Sequence, residues 1–253
     1  MKFMLRTAQA LIIPLIMLAS DAAASPDAKE IVRRSDYNSR GEKQYAEIKM
    51  TIIRPEWTRS LSLKTWSLGS DYSMILITAP ARERGQVFLK RGSEMWNWVP
   101  SIERIVSIPA SMMMQSWMGS DFTNDDLLNE ASIVNDYNHR IVGEEESGGL
   151  ECWKIELLPL DDAPVVWGKI YLWISKQGYH QMRSEYFDEY GDLINYHTAK
   201  DIKTLGGREI VTYIEVVPAD KKGHRTVLEI EKADFSPNID ESFFSQQNMR
   251  RVR

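Results

Sequence analysis

The sequence predicts a mainly β (α+β) protein, built as one antiparallel meander that curls strongly or partly closes. Two observations carry this. The hydrophobic period is two over most of the chain, and turn signals such as Gly148-Gly149, Tyr190-Gly191-Asp192, Gly206-Gly207 and Lys222-Gly223 punctuate the runs. A third observation concerns organisation. No linker divides the chain, and no internal repeat or low-complexity tract interrupts it, so residues 25–253 read as a single domain.

The N-terminus precedes that domain. Lys2 and Arg6 form a charged n-region, Ala8 to Ala19 is apolar apart from Gln9 and Pro14, and Ala22 and Ala24 supply an A-x-A pattern. This reads as a secretory signal peptide, residues 1–24, cleaved after Ala24. The apolar run is shorter than the roughly 18 residues of a bilayer span. No cysteine follows the cleavage site to accept a lipid, so a soluble mature protein is expected, in the periplasm of a bacterium with two membranes.

Charge narrows the function classes. The net charge is −5 and loss of the leader makes it slightly more acidic. Only Arg250, Arg251 and Arg253 cluster, which argues against nucleic acid as a partner. The single Cys152 excludes an intramolecular disulfide and any CxxC site, so stability must come from the core.

Taken in order, the first element is a short helix. Ala28, Ile31, Val32 and Ser35 fall at i, i+3, i+4 and i+7, opened by Ser25-Pro26-Asp27 and closed by Asn38 to Gly41. The period then changes to two, with Ala46, Ile48, Met50 and Ile52 alternating with Glu47, Lys49 and Thr51. Similar runs recur near 57–68, 71–78, 86–91, 94–99 and 103–108, then near 138–145, 151–158, 167–175, 179–188, 193–202, 208–217 and 224–234. Several carry large side chains on both faces. Ile170, Leu172 and Ile174 oppose Tyr171 and Trp173, while Trp96 and Trp98 oppose Met95 and Val99. Such a sheet needs a cover, a ligand or a partner on its second side.

Between the two series of strands lies SIPASMMMQSWMGSDFTNDDL, residues 107–127. Pro109 and Ser111 predict a two-turn helix that stops at Gly119 and pairs Met113 with Trp117 and Met114 with Met118. Thr123-Asn124-Asp125-Asp126 reads as a capping box opening a second short helix through Leu127, Leu128 and Ala131. Thioethers bind Cu(I), but such a site also wants converging histidine or cysteine, and His139, His180, His197 and His224 are scattered. No metal and no cofactor are therefore expected. Methionine's adaptable shape suits variable apolar partners instead. Nor does catalysis find a motif. There is no GxSxG, HExxH, P-loop or GxGxxG, and Glu229/Glu231, Asp125-Asp126 and Asp161-Asp162 read as surface carboxylates, so no enzyme is expected.

Several blocks carry a resemblance: YAEIKMTIIRP (45–55), MWNWVPSIERIVSIP (95–109), SWMGSDFTNDDL (116–127), VVWGKIYLWI (165–174), EYFDEYGDL (185–193), VPADKKG (217–223) and DESFFS (240–245). In these the chain resembles the outer-membrane lipoprotein-sorting protein family, similar to the LolA-like periplasmic carriers. The resemblance implies a strongly curved antiparallel half-barrel of about 11–12 strands, LolA/LolB-like, covered by short helices. A hydrophobic cavity between sheet and cover would shield the acyl chains of a lipoprotein, or of a membrane lipid, sterol or hopanoid. It also implies partners: an inner-membrane transporter of RND or ABC type and an outer-membrane acceptor. The alternative is a periplasmic interaction or sensor module, accessory to such a transporter and without cargo. A monomer is expected. The candidate acyl-chain contacts are Met112, Met113, Met114, Trp117 and Met118, with Trp96 and Trp98 from the facing strand.

Overall fold

The computed structural model describes residues 26–128, 133–161, 163 and 165–253. The signal-peptide assignment and the Ala131 end of the second short helix lie outside the described residues. Helix α1 (Ala28–Arg40) begins where Asp27 accepts a hydrogen bond from the Lys29 amide at 3.0 Å. It ends at Gly41, whose left-handed φ of 64° lets its amide return to the Tyr37 carbonyl. Its buried residues are Ala28, Ile31, Val32 and Ser35, the face that the spacing predicts.

Thirteen strands follow, one for each period-two run in the sequence and more than the about 11–12 that the resemblance implies. They are β1 (Lys43–Ile53), β2 (Thr58–Leu68), β3 (Tyr72–Ala79), β4 (Val87–Arg91), β5 (Glu94–Val99) and β6 (Arg104–Ser107), then β7 (Tyr137–Ser147), β8 (Leu150–Pro159), β9 (Lys169–Ser175), β10 (Gln181–Phe187), β11 (Leu193–Leu205), β12 (Arg208–Pro218) and β13 (Arg225–Asp234). All form one sheet in the order β6-β5-β4-β3-β2-β1-β13-β12-β11-β10-β9-β8-β7. Every ladder is antiparallel, and all but β1–β13 join strands consecutive in sequence. The sheet is a curved, open half-barrel whose edges are β6 and β7.

The chain must therefore cross from one edge to the other, and the segment between β6 and β7 does so over the inner face. Met113, Trp117 and Phe122 pack there on Met50, Leu61, Ile77 and Phe88. On the other half of the inner face, Ile31 and Val32 of α1 pack on Ile155, Leu157, Ile170 and Leu172. Side chains alternate across the sheet with period two, so the outer face of β2–β5 is equally apolar. It is sealed by the C-terminal segment, which contains a single helical turn at Gln246–Met249: Ile239, Phe244, Met249 and Val252 bury Met74, Leu76, Val87 and Leu89. Among the described residues, the outer face of β8–β10 has no such strap. There Lys154, Lys169 and Arg183 lie over the rings of Tyr171, Trp173 and Phe187. The grease on both faces thus has two different covers.

Candidate functional site

The crossing segment departs from the expected two-turn helix. Ala110–Met112 and Trp117–Gly119 are separate 3-10 turns, and Met118 and Gly119 adopt left-handed φ of 52° and 77°. Two successive left-handed residues cannot continue an α-helix. The backbone groups that a helix would use are bonded elsewhere. The Trp117 amide donates to the Phe122 carbonyl, and the Asn124 and Asp125 amides donate to the carbonyls of Gln115 and Met113. The Asn124 side chain reaches the Met112 carbonyl at 2.8 Å. The segment is thus a compact loop folded on its own polar tail. Helix α2 (Asn124–Leu128), a short turn, carries the expected capping box: the Asp126 amide donates to Thr123 Oγ1 at 3.0 Å and the Thr123 amide to Asp126 Oδ2 at 2.7 Å.

An ion pair pins this loop to the sheet. Arg54 Nη1 lies 2.9 Å from Asp121 Oδ2, both side chains less than a tenth exposed. Arg54 Nη2 donates to the Gly119 carbonyl, Arg59 donates to the Met118 carbonyl, and the Thr226 hydroxyl donates to Asp121 Oδ2. Asp121 is therefore an anchor, a role beyond helix capping that spacing alone did not disclose.

Beneath the cover lies a partly open cavity of about 260 Å³. Its apolar wall is Ile48, Leu63, Ile75, Ile214 and Leu228 from the sheet, closed by Phe122, Leu127 and Ile133 from the crossing segment. Its polar end holds Ser67, Ser70, Ser73 and Lys90, beside Asn38 and Arg40 of α1. Helix α1 is held over this space by Asn38, which donates to the Gly178 carbonyl at 2.9 Å, and by Arg34, which donates to the Tyr179 hydroxyl at 3.0 Å. Three titratable groups in the wall, Lys90, His180 and His197, have their pKa lowered by burial. Lys90 Nζ donates to the Ser70 carbonyl at 2.7 Å, and desolvation lowers its pKa. His197 stands between Tyr186 and Phe122 with no partner for Nε2, and burial drives its pKa down to about 3.

None of the sequence-predicted contacts lines this cavity. Met113 and Trp117 are buried in the inner core and Met118 packs against it, while Met112 and Met114 are exposed. Trp96 and Trp98 do not face the methionines. They sit on the outer face with the C-terminal segment, because Met95 takes the inner position on β5. The lining residues were missed because alternation shows that a strand has two faces, not which one is concave. The signal that pointed toward them was the run of apolar residues at every second position of β1 and β13. Among the described residues, no group of three or more His, Cys, Asp or Glu side chains could hold a metal ion, and no helix is long and apolar enough to cross a membrane.

Solved structures with this architecture share about a fifth of its residues. An outer-membrane lipoprotein-sorting protein domain from Vibrio parahaemolyticus is 19% identical, with a TM-score of 0.78 over 88% of this chain and 98% of its own. A DUF1329 family protein from Desulfovibrio piger gives 22% identity and a TM-score of 0.80 over 88% and 97%. A LolA superfamily protein from Nitrosomonas europaea gives 21% and 0.74 over 88% and 99%. No curated protein matches the chain. A family model described as an uncharacterized protein matches residues 69–251. The chain belongs to the family that this model describes, and its fold is that of the lipoprotein-sorting and LolA-superfamily structures.

Proposed function

We propose that the protein is a non-catalytic periplasmic carrier that shields acyl chains between sheet and cover. The observation that carries this reading is the partly open, apolar-walled cavity between α1, the crossing segment and the inner face. Each CH₂ hidden from water contributes roughly 0.8 kcal/mol, so a long chain crosses an aqueous compartment only when enclosed. The leader pattern of residues 1–24 and the fold shared with a lipoprotein-sorting domain support the compartment. The cargo would be a lipidated protein or a membrane lipid, received from an inner-membrane transporter of RND or ABC type and passed toward an outer-membrane acceptor.

The test is native mass spectrometry of protein purified from its own periplasm without detergent. An added mass that extracts into organic solvent supports the carrier and gives the cargo class. A clean protein mass, together with no uptake of added lipid or lipopeptide, would replace the carrier with a cargo-free interaction module accessory to the transporter.

A further inference from the structure

A lysine is almost never fully buried unless it is paired. Lys90 is only 5% exposed, and its position on β4, two residues from Phe88, turns it to the inner face. Its ammonium has three N–H donors. The hydrogen bond it makes is to the Ser70 carbonyl, and among the described residues no carboxylate forms an ion pair with it. Arg40, the other cation at this end, is already paired with Asp36 on its own helix. The cavity is therefore a hydrocarbon-lined space with a buried cation at its polar end that Asp71, Asp125 and Asp136 attract without forming an ion pair, beside hydroxyls that could complete an anion's shell.

We propose that the cavity takes an amphiphile with one hydrocarbon chain and an anionic carboxylate or phosphate head, the head bound at Lys90 and the chain along Ile75, Leu228 and Phe122. This rests on the acyl-shielding reading and narrows it. A neutral head leaves the buried ammonium unpaired, and a cationic head is repelled by it. The size agrees. A cavity of about 260 Å³ lies just below the range of drug-sized ligand sites, roughly 300–1,000 Å³, and suits one chain better than several.

The test uses full-length mature protein stripped of lipid, titrated calorimetrically with chain-matched probes: dodecanoate, dodecyl phosphate, dodecanol and dodecyltrimethylammonium. Wild type should bind the two anions at least about tenfold more tightly than the alcohol. Lys90→Met should bring the anions down to the alcohol's affinity and leave the alcohol unchanged. A preference between the anions separates a free fatty acid from a phosphate-bearing lipid as the source. Equal binding of dodecanol and dodecanoate by wild type overturns the proposal while leaving the carrier intact, as does an anion preference that survives in Lys90→Met. If no probe binds wild type, the carrier reading fails with it. The wild-type series decides the matter even if the variant does not fold.

Discussion

Asp121 shows how an acidic residue beside a helix start becomes structural. Its carboxylate takes a guanidinium from just beyond the end of β1 and a hydroxyl from β13, out of water, and holds the loop that carries Met118 and Gly119. Removing one member of a buried pair strands the other, which typically costs about 3–5 kcal/mol. Asp121→Ala should therefore lower unfolding free energy by about that amount, read from urea melts, whereas a loss under about 1 kcal/mol would show the pair to be dispensable. His197 makes a pH prediction. Its folded pKa of about 3 lies below the ordinary 6.5, so below pH 6.5 the unfolded chain binds a proton that the folded chain refuses. The stability linked to this group is complete above about pH 6.5 and is lost progressively as pH falls toward 3. His197→Leu should melt with a shallower dependence on pH across that window, and an unchanged slope would assign the dependence to other groups. Neither role was legible in the sequence. Arg54 and Asp121 are far apart along the chain, and a histidine alternating in a strand does not announce its desolvation.

The elements were legible where periodicity is local. Helix α1 needs only its own four buried positions to be recognised, and the capping box at Thr123 needs only Asp126. The methionine loop was not, because the helix suggested by Pro109 and Gly119 lost its backbone bonds to the tail at Asn124 and Asp125. Its residues now divide by burial. Trp117→Ala should cost about 3–5 kcal/mol, since the ring packs on Phe88 with centroids 5.1 Å apart, while Met112→Ser with Met114→Ser should change stability by less than about 1 kcal/mol. If the exposed pair nonetheless abolished lipid co-purification, these two methionines would guard the entrance and not the core. The C-terminal strap is a further element hidden from local pattern, since Phe244 and Met249 find Met74 and Leu89 only in three dimensions. Phe244→Ala should destabilise by about 3–5 kcal/mol and shift tryptophan emission to the red as Trp66, Trp96 and Trp98 lose their cover; an unshifted spectrum would argue that the strap is not what buries them.

At the scale of the molecule, one sheet serves two apolar faces with different fates: the outer sealed over β2–β5 by the chain's own end, the inner left with a space. Strand count and antiparallel connectivity followed from turn signals and hairpin-length spacings. The direction of curvature did not, and with it went the identity of the lining, because curvature arises from the sum of strand twists and not from any one run. The proposed carrier role predicts a ligand-dependent stability. At a free ligand concentration about 100-fold above Kd, unfolding free energy should rise by about 2.7 kcal/mol, and a melting temperature indifferent to saturating lipid would mean that the lipid sits elsewhere.

The strand order has a kinetic consequence. Six strands, β1–β6, and seven, β7–β13, can each zip up as successive hairpins, but they join only where β1 meets β13, in a register that sets Ala46 against Ala233. Hairpins close in about microseconds, while pairing across so long a stretch of chain must first overcome loop-closure entropy. A newly made chain is therefore expected to join its two half-sheets last, with the inner edges of β1 and β13 bare until then. That interval is when it is most exposed to aggregation, and when a chaperone would have the most to hold.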